Sequence, residues 1–420
     1  MSLYSRVRLL GLVVFALSAC SASPPPSATP PKAGTPGAEI EVARTVVTPS
    51  GASSILDLLR DAAKLAKAER WGEAASAYER AYSLEPEGAS GDEALWGAAD
   101  AHDHVLQLEP ALARYELVAQ RQPDTTRGHD AMVRATRLLV FLGRFAQAGL
   151  YAERLLKKVE LLNDFERIAV FSARALGLLE RGEDQQASYF IEKGRDIVDR
   201  KQLDAAGSVP RDLAQLYYAL GEYRRVRAER VLFQPLPPNF GAVLEERCQL
   251  LLDAQSAYAD SMRAYDAHWS AMAGFRTAEL YQRLHQDLLV VQPPPSADTE
   301  RKRQLFDGAV RTRYSILLTK AKSMAEHTIS MAERTGEHSE WVERSRQALK
   351  SIDERIADEN AALAKLPYSR QAFEAYLAEM EAAAQAPAKG PAGSPKGLGP
   401  NPSGQVRGTP KANPGPTPQP

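Results

Sequence analysis

Cysteine is almost missing from this chain: Cys20 and Cys248 are the only two in 420 residues. They cannot supply a disulfide framework or a Cys-x-x-Cys metal or redox pair. A dominant charge is missing too. Its 53 acids against 52 lysines and arginines leave a formal −1, so no strong basic field exists to gather nucleic acid. No apolar run reaches eighteen residues, which excludes an ordinary membrane-spanning helix. The alternating pattern of half-buried strands is absent. So are the phosphate-binding glycine loop, Gly-x-Ser-x-Gly and His-Glu-x-x-His.

The seven histidines do not make up the deficit. His102 and His104 are two residues apart, about 200° around a helix, so they cannot share a metal. His327 and His338 fall in separate predicted helices without a ligand-spaced carboxylate or thiol. Asp100 and Asp103 form a carboxylate pair on paper, but solvated helix charges explain them. No catalytic residue, metal or cofactor is expected, and the chain reads as a non-enzyme.

What is present begins at the N-terminus. Arg6 and Arg8 precede nine apolar residues, Leu9 to Leu17, closed by Ser18-Ala19-Cys20. Nine helical residues cover about 13 Å, well short of a bilayer core of about 30 Å. The run therefore reads as a signal peptide over 1–19. Leu17-Ser18-Ala19-Cys20 resembles the bacterial lipobox. That resemblance implies lipidation of Cys20, cleavage before it and acylation of the new amine. Two or more acyl chains hold a protein stably on a membrane. Ser21 in place of an Asp favours the outer membrane, facing the periplasm. With Cys20 lipidated, Cys248 has no partner and reads as a small buried residue in a helix over 245–256.

Residues 20–50 are rich in Pro, Ser, Thr and Ala and cannot bury enough surface to fold alone. They read as a disordered tether spanning on the order of 30 Å. Residues 386–420 are Pro/Gly-rich and read as a disordered tail. The tail carries Lys389, Lys396, Arg407 and Lys411 and no acids, which could touch peptidoglycan or lipid phosphates. Without the signal the chain is −3, and the segment 51–385 carries −7.

That middle segment is rich in Ala, Leu, Arg and Glu in helical periodicity, so the class is all-α. An internal repeat runs through it. Ala74, Ala111, Ala148, Ala187 and Val226 are 37, 37, 39 and 39 residues apart. Trp71, Tyr78, Ala81 and Pro86 surround the first; Leu108, Tyr115, Val118 and Pro123 repeat their offsets. Gly143, Phe145 and Leu155 do so in the third unit, Gly182 in the fourth, Gly221, Tyr223 and Pro238 in the fifth. The 0, +4 and +7 offsets put three residues on one helix face. The small residue permits close approach, the aromatic fills the gap against the next unit, and the glycine serves the turn between helices. This pattern resembles the tetratricopeptide repeat (TPR) over 51–240, with longer periods than the family's and with Asp184 where an aromatic belongs. The resemblance implies a right-handed α-solenoid of TPR-like helical hairpins.

Longer helices are predicted over about 241–265, 268–290, 298–335, 338–360 and 369–385, with Pro293-Pro294-Pro295 as a break. This C-terminal helical region, 241–385, resembles that of large tetratricopeptide proteins of myxobacteria, through Tyr258, His268-Trp269, Phe275-Arg276, Leu280-Tyr281 and Met331 to Gly336. Some of that group serve adventurous gliding motility. In the tetratricopeptide family the first helix of each unit lines a concave face. Carried over, those positions are Trp96, Asp100 and His104, then Arg137 and Phe141, then Arg211, Gln215 and Tyr218. They imply protein partners, and the expected function is a membrane-anchored scaffold of an envelope machine for motility, outer-membrane assembly or secretion. The alternative is a non-enzymatic regulator or ligand-binding module of peptidoglycan synthesis or turnover, suggested by the basic tail and by Tyr258, His268 and Trp269.

Overall fold

A computed structural model describes residues 54–205 and 209–385. The predicted signal, Cys20, the tether and the tail lie outside the described residues. Among those described there are fourteen α-helices, one short 3-10 segment and no strand. Contacts divide the chain into a unit ending at Leu377 and a second beginning at Ala378.

Eight helices form the TPR-like part: α1 (Ile55–Lys67), α2 (Trp71–Leu84), α3 (Gly88–His104), α4 (Leu108–Arg121), α5 (Thr126–Phe141), α6 (Phe145–Leu155), α7 (Asp164–Glu180) and α8 (Asp184–Lys201). Then come α9 (Arg211–Glu229), α10 (Phe240–Met262), α11 (Ala267–Leu289), α12 (Glu300–Thr335), α13 (Glu340–Ala364) and α14 (Arg370–Gln385). The chain is all-α, as its periodicity predicts, and the helices after 240 lie within a few residues of the predicted spans. None of the described helices is long and apolar enough to cross a membrane.

The first four hairpins share one turn. In each, the residue five before the aligned alanine has positive φ: Glu69 at 59°, Leu106 at 58°, Gly143 at 73° and Gly182 at 75°. The next amide reaches back along the helix just ended, from Arg70 to Leu65, Gln107 to His102, Arg144 to Leu139 and Glu183 to Leu178, at 2.8–2.9 Å. The positive-φ residue's own amide bonds to Ala66, Asp103, Val140 and Leu179 in turn. This pair of bonds satisfies carbonyls that a helix end would otherwise leave open.

The aligned alanines 74, 111, 148 and 187 are fully buried. Tyr78 lies against Gly97 of the next hairpin, where a Cβ would come within 2.5 Å of its ring. Ion pairs and hydrogen bonds repeat near the repeat period: Arg114 holds Glu79 at 2.8 Å, Arg134 holds Asp100 at 3.0 Å, and Tyr151 donates to Glu116 at 2.9 Å. Helix starts are capped by Ser54, Thr125, Asn163, Asp266 and Thr299. Asn163 and Glu166 cap reciprocally, a pairing that satisfies two amides at once.

The fifth predicted hairpin does not form. Gly221, Tyr223 and Val226 lie in one continuous helix, α9. Gly221 makes no turn there. Its missing side chain admits the ring of Tyr258, which a Cβ would meet at 2.5 Å. Apolar residues before and after Gly221 keep helical register, so nothing ends the helix until Arg230. Beyond it, α9 pairs with the longer α10.

Candidate functional site

The stack leaves a cavity of about 450 Å³ against the middle of α5. On α5, Asp130, Val133, Arg134, Arg137, Leu138 and Phe141 line it, at the spacing that puts residues on one helix face. Trp96 and Asp103 of α3, Leu106 of the turn and Leu108 at the start of α4 form another side. Glu166, Arg211, Asp212, Gln215 and Trp269, from the starts of α7, α9 and α11, complete it. Three helix beginnings therefore contribute to its walls.

Five of the eight residues expected on the concave face line this cavity: Trp96, Arg137, Phe141, Arg211 and Gln215. The others do different work. Asp100 is held by Arg134 at 3.0 Å. His104 stacks on Trp71, ring centres 3.7 Å apart. Tyr218 is fully buried among Phe145, Tyr258 and Trp269, so its expected place on a binding face is corrected: α9 turns it into the core. Gln215 is almost wholly buried and donates to the Ala169 carbonyl at 2.7 Å and the Ser172 hydroxyl at 2.9 Å.

The cavity's arginines are all held in ion pairs. Arg137 holds Asp212 through two bonds, 2.8 and 2.9 Å. Burial pushes the Asp212 carboxyl up, and Arg137 opposes that shift. Arg211 meets Asp266 at 2.8 Å, and Asp266 caps α11 through the amides of His268 and Trp269. Besides holding Asp100, Arg134 donates to the Tyr115 hydroxyl at 3.0 Å. Burial likewise raises the Asp103 carboxyl, against the pull of Arg134. The guanidiniums of Arg127 and Arg134 lie over the Trp96 ring.

A clasp closes the far end of α5. His268 stacks on Phe141 at 3.5 Å. One of its ring nitrogens meets the Phe141 carbonyl at 2.7 Å and the other meets Glu337 at 3.1 Å. Trp341 lies against Gly143, where a Cβ would be 2.9 Å from its ring. Of Tyr258, His268 and Trp269, named for the wall-binding alternative, all three have little exposure, and only Trp269 lines the cavity. No sequence signal announced the clasp, because its three elements are far apart in the chain.

A second polar centre lies in the core. Glu222 of α9 accepts from Tyr258 at 2.6 Å and meets Arg225 at 2.9 Å and Arg276 at 3.1 Å. The paired arginines hold its carboxyl low although burial pushes it up. Cys248 is buried, and burial pushes its thiol up to about 11, which matches the small-core reading. His102 bonds to Gln107 and Glu79. Among the described residues no three His, Cys, Asp or Glu converge as a metal site.

No family model matches this chain, and no curated protein does. Among solved structures it is similar to a tetratricopeptide repeat protein from Parabacteroides merdae, at 13% identity over 72% of this chain and all of the other, with a TM-score of 0.38. It is similar to the TPR domain of P58(IPK), at 14% identity over 73% of this chain and 99% of that one, with a TM-score of 0.23. It is also similar to a human IFIT1 dimer solved with m7Gppp-AAAA, at 14% identity over 79% and 72% of the two chains, with a TM-score of 0.38.

Proposed function

We propose that this chain is a lipid-anchored docking scaffold of the bacterial envelope, binding protein partners through the cavity on α5. The observation that carries the reading is the cavity itself. Trp96, Phe141 and Trp269 give it aromatic walls among polar groups, the mixture that protein-binding centres favour. Its residues are held by helix starts and ion pairs, so the site is built before a partner arrives. The anchor rests on the Leu17-Ser18-Ala19-Cys20 segment and the tether on the composition of 21–50. Motility, outer-membrane assembly and secretion are the settings such a scaffold suits. The wall-binding alternative keeps the basic tail as support; of its aromatic cluster, Tyr258 and His268 are packed inside and only Trp269 reaches the cavity.

Crosslinked envelopes test the reading. Pull-down of the full chain should recover discrete protein partners, and Trp96→Ala should lose them while the chain stays folded. Recovery of none, or unchanged recovery by the variant, would count against docking at this cavity.

A further inference from the structure

Every guanidinium on the cavity wall already faces a carboxylate of this chain: Arg137 faces Asp212, Arg211 faces Asp266 and Arg134 faces Asp100. The carboxylates are not matched in return. Asp130 lines the cavity with no ion-pair or hydrogen-bond partner among the described residues. Glu166 accepts from the Asn163 amide at 2.9 Å and meets no cation among the described residues. Asp103 lies 3.8 Å from Arg134, whose closer partner is Asp100. The wall therefore holds carboxylates in excess, beside the apolar surface of Leu106, Leu108 and Val133. An anion entering would find neutralised arginines and open acids. A cation finds the reverse. At about 450 Å³ the space lies at the small end of ligand pockets, about 300–1,000 Å³, which suits one long side chain and its neighbours.

We propose that the cavity receives a lysine or arginine side chain presented by an extended segment of a partner protein. The aliphatic stem lies on the apolar wall and the charged head among Asp130, Glu166 and Asp103, as long cationic side chains bury their stems and keep their heads in polar surroundings. Complementary charge of this kind sets which partner is accepted more than how tightly it binds. The inference rests on the docking reading and adds the chemistry of the partner.

The test titrates the full chain with the probe acetyl-Ala-Leu-Arg-Leu-Ala-amide and its Lys, norleucine and Glu versions, read by tryptophan fluorescence, since Trp96 and Trp269 line the cavity. The Arg and Lys peptides should bind at least about tenfold tighter than the norleucine peptide, and salt should weaken them. The double variant Asp130→Asn, Glu166→Gln should lose that preference. The amide oxygen introduced by Glu166→Gln can still accept from the Asn163 amide, and a thermal melt checks the fold; should the double variant be unfolded, Asp130→Asn alone is used. Equal binding of all four peptides, preference for Glu, or a preference unchanged in the variant would overturn the charge assignment and leave docking standing. Binding of none would overturn the cavity as a side-chain receptor, and the crosslinking experiment alone would then decide whether docking stands. Binding of a single-stranded oligonucleotide in place of the cationic peptides would likewise overturn it.

Discussion

Single residues carry strain and charge that the fold tolerates at known cost. Glu69 and Leu106 occupy left-handed turn positions that Gly143 and Gly182 occupy in the next two hairpins. A side chain there costs about 1–2 kcal/mol, part of which glycine returns as lost chain entropy. Glu69→Gly should therefore stabilise by about 0.5–1 kcal/mol, read by urea denaturation, and Gly182→Ala should destabilise by a similar amount. His285 of α11 is buried, and neither of its ring nitrogens has a hydrogen-bond partner among the described residues. Burial, with Arg355 and Arg311 nearby, holds it down to about 4. An unfolded histidine takes a proton near its ordinary 6.5. Stability from this group is thus fully present above about 6.5 and falls as pH drops toward 4. His285→Leu should flatten the stability-against-pH curve in that window and leave no orphaned donor. A slope as steep as the wild type's would refute that assignment. The left-handed positions show where sequence reading stops: only glycine announces a left-handed turn, so units three and four were legible and Glu69 and Leu106 were not.

At the scale of elements, glycines set how near helices come. Gly149 of α6 and Gly177 of α7 meet backbone to backbone, and a Cβ on Gly177 would stand 2.7 Å from the Gly149 Cα. Gly308 of α12 receives the ring of Phe373 in the first turns of α14, where a Cβ would clash at 2.1 Å. Glu222 ties three helices at one polar centre. It is a buried carboxylate held by Arg225, Arg276 and Tyr258. Glu222→Gln should destabilise by about 1–3 kcal/mol, because it takes the shared counter-charge from two half-buried arginines that keep only Glu229 and Glu279; chemical denaturation reads the loss. Helix lengths and ends were legible from periodicity and from signals such as Thr335-Gly336. The fifth hairpin misled because a glycine that makes room for a ring looks, in sequence, like a glycine that makes a turn. Tyr218 misled for a related reason: a stripe rule assigns a face but cannot see which neighbour covers it.

For the whole molecule, the sequence points to an anchor and the structure to a cavity. The predicted link is Cys20→Ala, which should leave a folded chain released from the membrane fraction, read by fractionation and circular dichroism. Identical fractionation of the variant and the wild type would overturn Cys20 as an anchor. The cavity was about a third legible, since the facing-residue rule selected Trp96, Arg137, Phe141, Arg211 and Gln215 of its fifteen lining residues. Its closing wall, Trp269, came from a region the rule does not reach. The clasp of Phe141, His268 and Trp341 has a thermal consequence. In a plain array each repeat touches only its neighbours, so ends melt first and unfolding spreads unit by unit. Here contacts join residues 127 apart in sequence, tying the α5–α6 turn to helices that follow much later. Melting of either side removes support from the other. Hydrogen exchange should therefore find α5, α11 and the start of α13 opening together as one cooperative unit, and His268→Ala should split that unit in two.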